Sequence, residues 1–97
     1  MPVLICKRIA YYSPNDEFAF FDWLKRINCI KEVRGVGDEI HLVLPRRQIS
    51  DSALRDLISI FERYHIDKKQ LSQFLTNRNQ AWFKDDPRKF WHKKVFG

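Results

Sequence analysis

One long stretch of the sequence, residues 51–75, has the clearest helical pattern and limits how the rest of the chain can fold. Its apolar residues recur at the three-and-four spacing of a helix with one buried stripe: Leu54, Leu57, Ile58, Phe61 and Tyr64. Ala53 and Ile60 widen the stripe, so we expect the helix to contact more than one neighbour. Residues 64–66 predict a break in this stretch, after which Asp67 caps a shorter helix with apolar contacts from Leu71, Phe74 and Leu75.

Three segments ahead of this helix have the composition of strands, over residues 3–12, 29–34 and 39–44. Between the first two, Ser13 and Pro14 followed by acidic residues predict a helix over 14–27. Residues 35–38 contain two glycines and predict a hairpin loop between the last two strands. The fold class expected is α+β, a single domain over 1–97 in the order β-α-β-β-α-α. Its three-stranded antiparallel sheet has the third strand in the centre and helices on one face.

Aromatic residues are concentrated in the predicted first helix and at the end of the chain. Phe18 and Phe21 form a second flank of the first helix, to be covered either by the C-terminal segment or by a partner. Asp86 and Pro87 predict a last helix over 88–94. Because aromatics are so dense here, we expect this helical, aromatic-rich tail to dock onto the body of the protein.

The residues that commonly carry catalysis or bind metals do not form a recognisable constellation. The two cysteines, Cys6 and Cys29, have no CxxC spacing and predict buried, reduced thiols. His41 can act as a general base only if it faces a pocket beside Glu39 or His65. The sequence therefore predicts a non-enzymatic protein with no catalytic residue, no cofactor and no metal.

The ends of the chain and its charge suggest where the protein works and what it binds. No secretory signal and no apolar run long enough to span a bilayer are present, which favours a cytoplasmic protein that does not bind membranes. Lysine and arginine number 18 against 12 acidic residues, a formal net charge of +6. Such a balance favours anionic partners.

The sequences of four segments resemble those of small stand-alone bacterial immunity proteins, which belong to contact-dependent growth inhibition and related toxin systems. These segments are YYSPNDEFAFFDWLKRI, GVGDEIHLVL, ISDSALRDLISIFERYHIDKKQLSQFL and NQAWFKDDPRKFWHKKVFG. The resemblance covers most of the chain and implies a non-enzymatic inhibitor that binds one cognate toxin domain. Many immunity proteins against nucleases are acidic mimics of the substrate, whereas this chain is basic. The departure favours a toxin with an acidic surface or a buried aromatic anchor.

In an inhibitor of this kind, exposed aromatics would be the central anchors and nearby cations would steer association. The partner-binding residues predicted on that basis are Arg46, Arg47, Trp82, Phe83, Arg88, Lys89, Trp91, Lys93 and Lys94.

Two other functions fit the same residues. Cations interleaved with aromatics over 88–94 suit nucleic acid, because cations neutralise phosphates and rings stack on bases. The same aromatics also suit inward packing, which would leave only the cations in water. A structural subunit or homodimer is the third possibility, and the sequence leaves the oligomeric state open.

Overall fold

The computed structural model describes residues 2–97 and places three strands in one antiparallel sheet. The strands are β1 (Val3–Lys7), β2 (Glu32–Val36) and β3 (Glu39–Val43). Their spatial order is β1-β3-β2, so the predicted central position of the third strand is confirmed. The helices are α1 (Pro14–Arg26), α2 (Asp51–Arg63), a 3₁₀ helix (Lys68–Phe74), α3 (Gln80–Phe83) and α4 (His92–Phe96). The predicted α+β class and its order are also confirmed.

The amphipathic helix α2 supplies the largest share of the core. Ser50 caps it by accepting the Ala53 N–H on Oγ at 3.1 Å. Six of its thirteen residues are buried on one face: Ala53, Leu54, Leu57, Ile58, Ile60 and Phe61. Each large apolar side chain buried in this way contributes about 1.5 to 3 kcal/mol to folding.

The inner face of the sheet meets the helices through alternate residues of β1 and β3. Leu4 pairs with Leu42 and Cys6 with Ile40, which places all four side chains on one face because strand side chains alternate. Phe20 and Leu24 of α1 join the same buried cluster. The outer face carries partly exposed residues, and β2 buries none of its five residues.

The C-terminal segment docks onto this core as expected from its aromatic content. Phe83 is fully buried, and its ring centroid lies 5.0 Å from that of Phe96. Val95 of α4 is buried as well. By contrast, the segment leaves Phe18 of α1 72% exposed, so the second flank of α1 is not covered along its whole length.

Three elements have bounds that differ by more than one residue from the sequence prediction. The first strand ends at Lys7 rather than at residue 12, since Arg8 adopts a left-handed backbone conformation (φ 51°) that interrupts extended structure. The second strand begins at Glu32 and includes Gly35, so the hairpin turn is limited to Gly37 and its successor. The last helix begins at His92, because residues 87–91 form turns.

The two edges of the sheet are treated differently. At the β1 edge, Ile5 donates its N–H to Gln70 Oε1 and accepts from Gln70 Nε2, both at 2.8 Å. A side chain of the 3₁₀ helix therefore occupies the position of a neighbouring strand. The β2 edge has no such cover among the described residues. No helix within residues 2–97 is long and apolar enough to cross a membrane.

We expect Gln70→Ala to lower the free energy of unfolding by about 1 to 3 kcal/mol, because it leaves two half-buried backbone groups of Ile5 without partners. Urea denaturation measures the change, and faster amide exchange at Ile5 localises it. Gln73→Ala is the matched control, since within residues 2–97 the Gln73 side chain hydrogen-bonds only in its own turn, to the Gln70 carbonyl. Equal stability of the two variants would contradict this role for Gln70.

Candidate interaction surface

The aromatic residues predicted as exposed anchors belong mainly to the core. Trp91 is only 8% exposed, and its indole Nε1 donates to the Phe83 carbonyl at 2.8 Å. Phe83 itself is fully buried. The prediction that Phe83 and Trp91 offer exposed rings to a partner is therefore wrong, because both side chains pack inward where the tail folds back.

Two other rings of the tail lie nearer the surface. Trp82 is half-buried, and the Arg55 guanidinium lies 4.1 Å from the centroid of its ring. Its buried Nε1 has no acceptor among the described residues. Phe90, which belongs to the predicted basic aromatic stretch but not to the predicted partner-binding residues, is 55% exposed and packs its ring edgewise on Trp91.

The predicted cations do not form one surface. Arg46 lines a concavity of about 150 Å³ between the start of the chain and the end of the 3₁₀ helix. Lys94 lines a different concavity, which shares no residue with the first. Arg47, Lys89 and Lys93 are exposed.

Arg88 is exposed but already engaged. Its guanidinium donates to both Asp86 oxygens, at 3.1 and 3.2 Å. This pair lowers the pKa of the Asp86 carboxyl and raises that of Arg88. A partner would have to compete with Asp86 for this cation.

Three neighbouring concavities meet at His65, a position that the sequence analysis treated as part of a helix break and as a possible neighbour of His41, but not as a binding residue. They have volumes of about 420, 360 and 430 Å³. Six lysine and arginine side chains line them, against the carboxylates of Asp16 and Asp67. We define the His65 surface as Lys7, Arg8, Tyr12, Arg63, His65, Lys69 and Lys94.

The backbone at the end of α2 explains why His65 projects there. The Ile66 N–H bonds the Phe61 carbonyl at 2.9 Å and the His65 N–H bonds the Glu62 carbonyl at 3.4 Å. These two bonds form a Schellman motif, whose left-handed residue is most often glycine. His65 takes that position with φ 58°, and buried Ile66 anchors the turn.

The concavity lined by Arg8 and His65 also contains an exposed tyrosine. Tyr12 is 90% exposed, while its N–H donates to Asp16 Oδ2 at 2.9 Å. Asp16 Oδ1 accepts from the Tyr64 hydroxyl at 3.0 Å. Both oxygens of the only carboxylate in this concavity are thus engaged, and Arg63 forms no ion pair within residues 2–97.

A buried cation supports the other side of the His65 surface. Lys68 is only 5% exposed, and its Nζ lies 2.6 Å from Glu62 Oε1. Lys94 Nζ lies 3.1 Å from the same oxygen. Hydrogen bonds from both lysines lower the pKa of the Glu62 carboxyl. Glu62 therefore fixes α4 against the end of α2 and positions Lys94 beside His65.

The two cysteines are buried, and His41 lies beside a carboxylate. Burial raises the pKa of the Cys6 thiol to about 12, which keeps it protonated near neutral pH. Cys29 is also buried, with a raised pKa for the same reason. His41 Nε2 lies 2.9 Å from Glu39 Oε1 on the outer face of the sheet. No cluster of His, Cys, Asp and Glu able to hold a metal ion occurs within residues 2–97.

We expect His65→Gly to raise the free energy of unfolding by about 0.5 to 1 kcal/mol, since glycine adopts the left-handed conformation without steric strain. His65→Ala is the matched control, because it removes the imidazole and keeps the strained backbone. Urea denaturation of both variants measures the difference. Equal stability of the glycine and alanine variants would show that the backbone at this position is not strained.

Comparison of the chain with protein-family models, curated proteins and solved structures found no match. The function of the His65 surface must therefore be argued from its own geometry and charge.

Proposed function

We propose that this chain is a non-enzymatic binding protein of the immunity type, which neutralises a toxin domain by docking the His65 surface onto an acidic patch. The observation that carries the proposal is that Arg8, Tyr12, Arg63 and His65 share one concavity of about 420 Å³. Such an inhibitor would act in the cytoplasm, where a toxin that has entered the cell does its damage.

The residue types around this concavity suit a protein partner. Tyrosine and arginine are enriched among the residues that dominate binding energies at protein interfaces. Tyr12 offers a large and nearly fully exposed ring, and the bond from its N–H to Asp16 fixes the backbone that carries it. A ring held in this way loses little conformational entropy on binding.

The charge of the surface favours an acidic partner. Lys7, Arg63 and Lys69 form no ion pair within residues 2–97, so their charges are not neutralised by the fold. Cations arranged around a concavity raise the rate of encounter with an anionic surface, and salt weakens the effect. The net charge of +6 acts in the same direction at longer range.

Nucleic acid is the second candidate, and Phe90 is the observation in its favour. Its exposed ring lies beside Lys89 and close in sequence to Lys93. Burial of Trp91 removes the second ring on which a base could stack, so this site is smaller than the sequence suggested. Binding here would be carried mainly by phosphate contacts.

We expect the double variant Arg8→Glu/Arg63→Glu to lose its partner. Affinity capture of the tagged protein from native cells should yield one stoichiometric polypeptide that survives nuclease treatment. The double variant should bind that purified polypeptide about 10- to 100-fold more weakly, with most of the loss in association rate. Arg46→Glu/Arg47→Glu is the matched control, since it makes the same charge change away from the His65 surface and should bind normally.

Thermal unfolding of both double variants checks that the fold is retained. Loss of binding only in the Arg46/Arg47 variant would place the interface at the site predicted from sequence and would overturn the His65 proposal. The second candidate, nucleic-acid binding, would be favoured if the captured material is lost on nuclease treatment and the protein binds a fluorescent single-stranded oligonucleotide at low salt. Replacing Lys89, Phe90 and Lys93 with alanine should then abolish oligonucleotide binding.

A further inference from the structure

The β2 edge of the sheet is uncovered among residues 2–97, and the register fixes which of its backbone groups point outward. Backbone N–H and C=O groups of successive residues in an antiparallel strand point to opposite sides of that strand. Ile5 directs its groups to Gln70 and away from β3. Its neighbours on β1 therefore bond β3 at Leu42 and Ile40.

The alternation continues through β3 to β2. Since Leu42 and Ile40 bond β1, His41 directs its backbone groups to β2, where it pairs with Arg34. The backbone N–H and C=O groups of Arg34 thus point towards β3, whereas those of Val33 and Gly35 point away from the sheet at its free edge. All five residues of β2 are exposed, so an incoming strand can reach these groups.

We propose that a second copy of this chain pairs with β2 along this edge, in antiparallel register about a two-fold axis at Val33, to give a continuous six-stranded sheet. Outward-facing residues must pair with outward-facing residues, so the axis must pass through a residue and not between two. An axis at Glu32 would set two carboxylates opposite each other, and an axis at Arg34 would set two guanidinium groups opposite each other. Like charges in such positions are unfavourable.

An axis at Val33 removes both conflicts. It places Glu32 of each chain opposite Arg34 of the other, so two ion pairs between oppositely charged groups form across the axis. Glu32 and Arg34 already pair within one chain. Together the four groups would form a cluster of alternating charge on the outer face. This self-complementarity is why a second copy fits the edge better than an unrelated strand.

The inner face of the same edge also favours association. Val33 would meet Val33 of the second copy there, and a Cβ atom added at Gly35 would have no atom beyond its chain neighbours within 4 Å. Phe21 of α1 lines a concavity of about 290 Å³ with Gly35. Pairing would partly cover this open region at β2, which borders the His65 surface at Arg8.

Sedimentation velocity tests the pairing with Val33→Pro. Because a single strand edge is a small interface, we expect a weak dimer of the natural chain, seen as a mass rising towards twice that of the monomer between about 10 and 500 µM. Proline at Val33 removes only an outward-facing N–H and should keep the fold, checked by circular dichroism. The variant should remain monomeric over the same range. A natural chain that is monomeric at the highest concentration, or a folded Val33→Pro variant that still dimerises, overturns the proposal.

Charge exchange tests the register by a route that does not depend on proline. Glu32→Arg alone and Arg34→Glu alone each set like charges opposite each other in a homodimer, so each should dimerise at least about 10-fold more weakly than the natural chain. An equimolar mixture of the two variants should recover dimers, because every cross-strand pair then has opposite charges. A mixture that associates no better than its components would overturn the Val33-centred register, and pairing with an unrelated peptide instead would overturn the second copy as the occupant.

Discussion

Burial of one face of α2 is the interaction on which the rest of the structure depends. The helix contributes six residues to a core that also contains Leu4 and Leu42 of the sheet and Phe20 of α1. Residues of the tail, such as Phe83, join the same cluster. The sheet and the tail pack against this one core, so the position of α2 fixes where the chain turns at the C-terminal end of α2. That turn carries His65 and forms the centre of the His65 surface.

The His65 surface is built from positions where the chain leaves regular structure. Arg8 follows β1 and His65 lies just beyond α2, and both have left-handed backbone conformations that glycine would adopt at lower cost. Each instead carries a cationic or titratable side chain into the same concavity. Backbone strain of this kind persists where the surroundings enforce it, and it is frequent at functional sites. The hydrogen bonds of Asp16 and Glu62 hold the surrounding elements and leave several cations without partners.

The two edges of the sheet differ in whether the outward-pointing backbone groups of the edge strand have hydrogen-bond partners. An uncovered edge strand offers unpaired backbone groups to any neighbouring strand. Gln70 satisfies both groups of Ile5 at the β1 edge, which closes that edge to pairing. At the β2 edge, the opposite charges of Glu32 and Arg34 lie on either side of Val33. This arrangement favours pairing with a strand of complementary charge over pairing with any strand. The protein thus has two distinct surfaces, one cationic and one self-complementary.

The sequence by itself determined the element order, the break after α2 and the cap of α1 at Ser13, whose Oγ accepts the Asp16 N–H, because periodicity and capping are local properties of neighbouring residues. The short hairpin loop and the helical connection also indicated the central third strand. The sequence also indicated that the aromatic tail docks onto the body. Only the tertiary structure decided which rings remain exposed: Trp91 and Phe83 are buried while Phe90 and Tyr12 are not. It also decided the candidate site, since Arg8 and Tyr12 are far in sequence from Arg63 and His65. Long-range packing of β1, α1 and α2 brings them together, and no local pattern records that convergence.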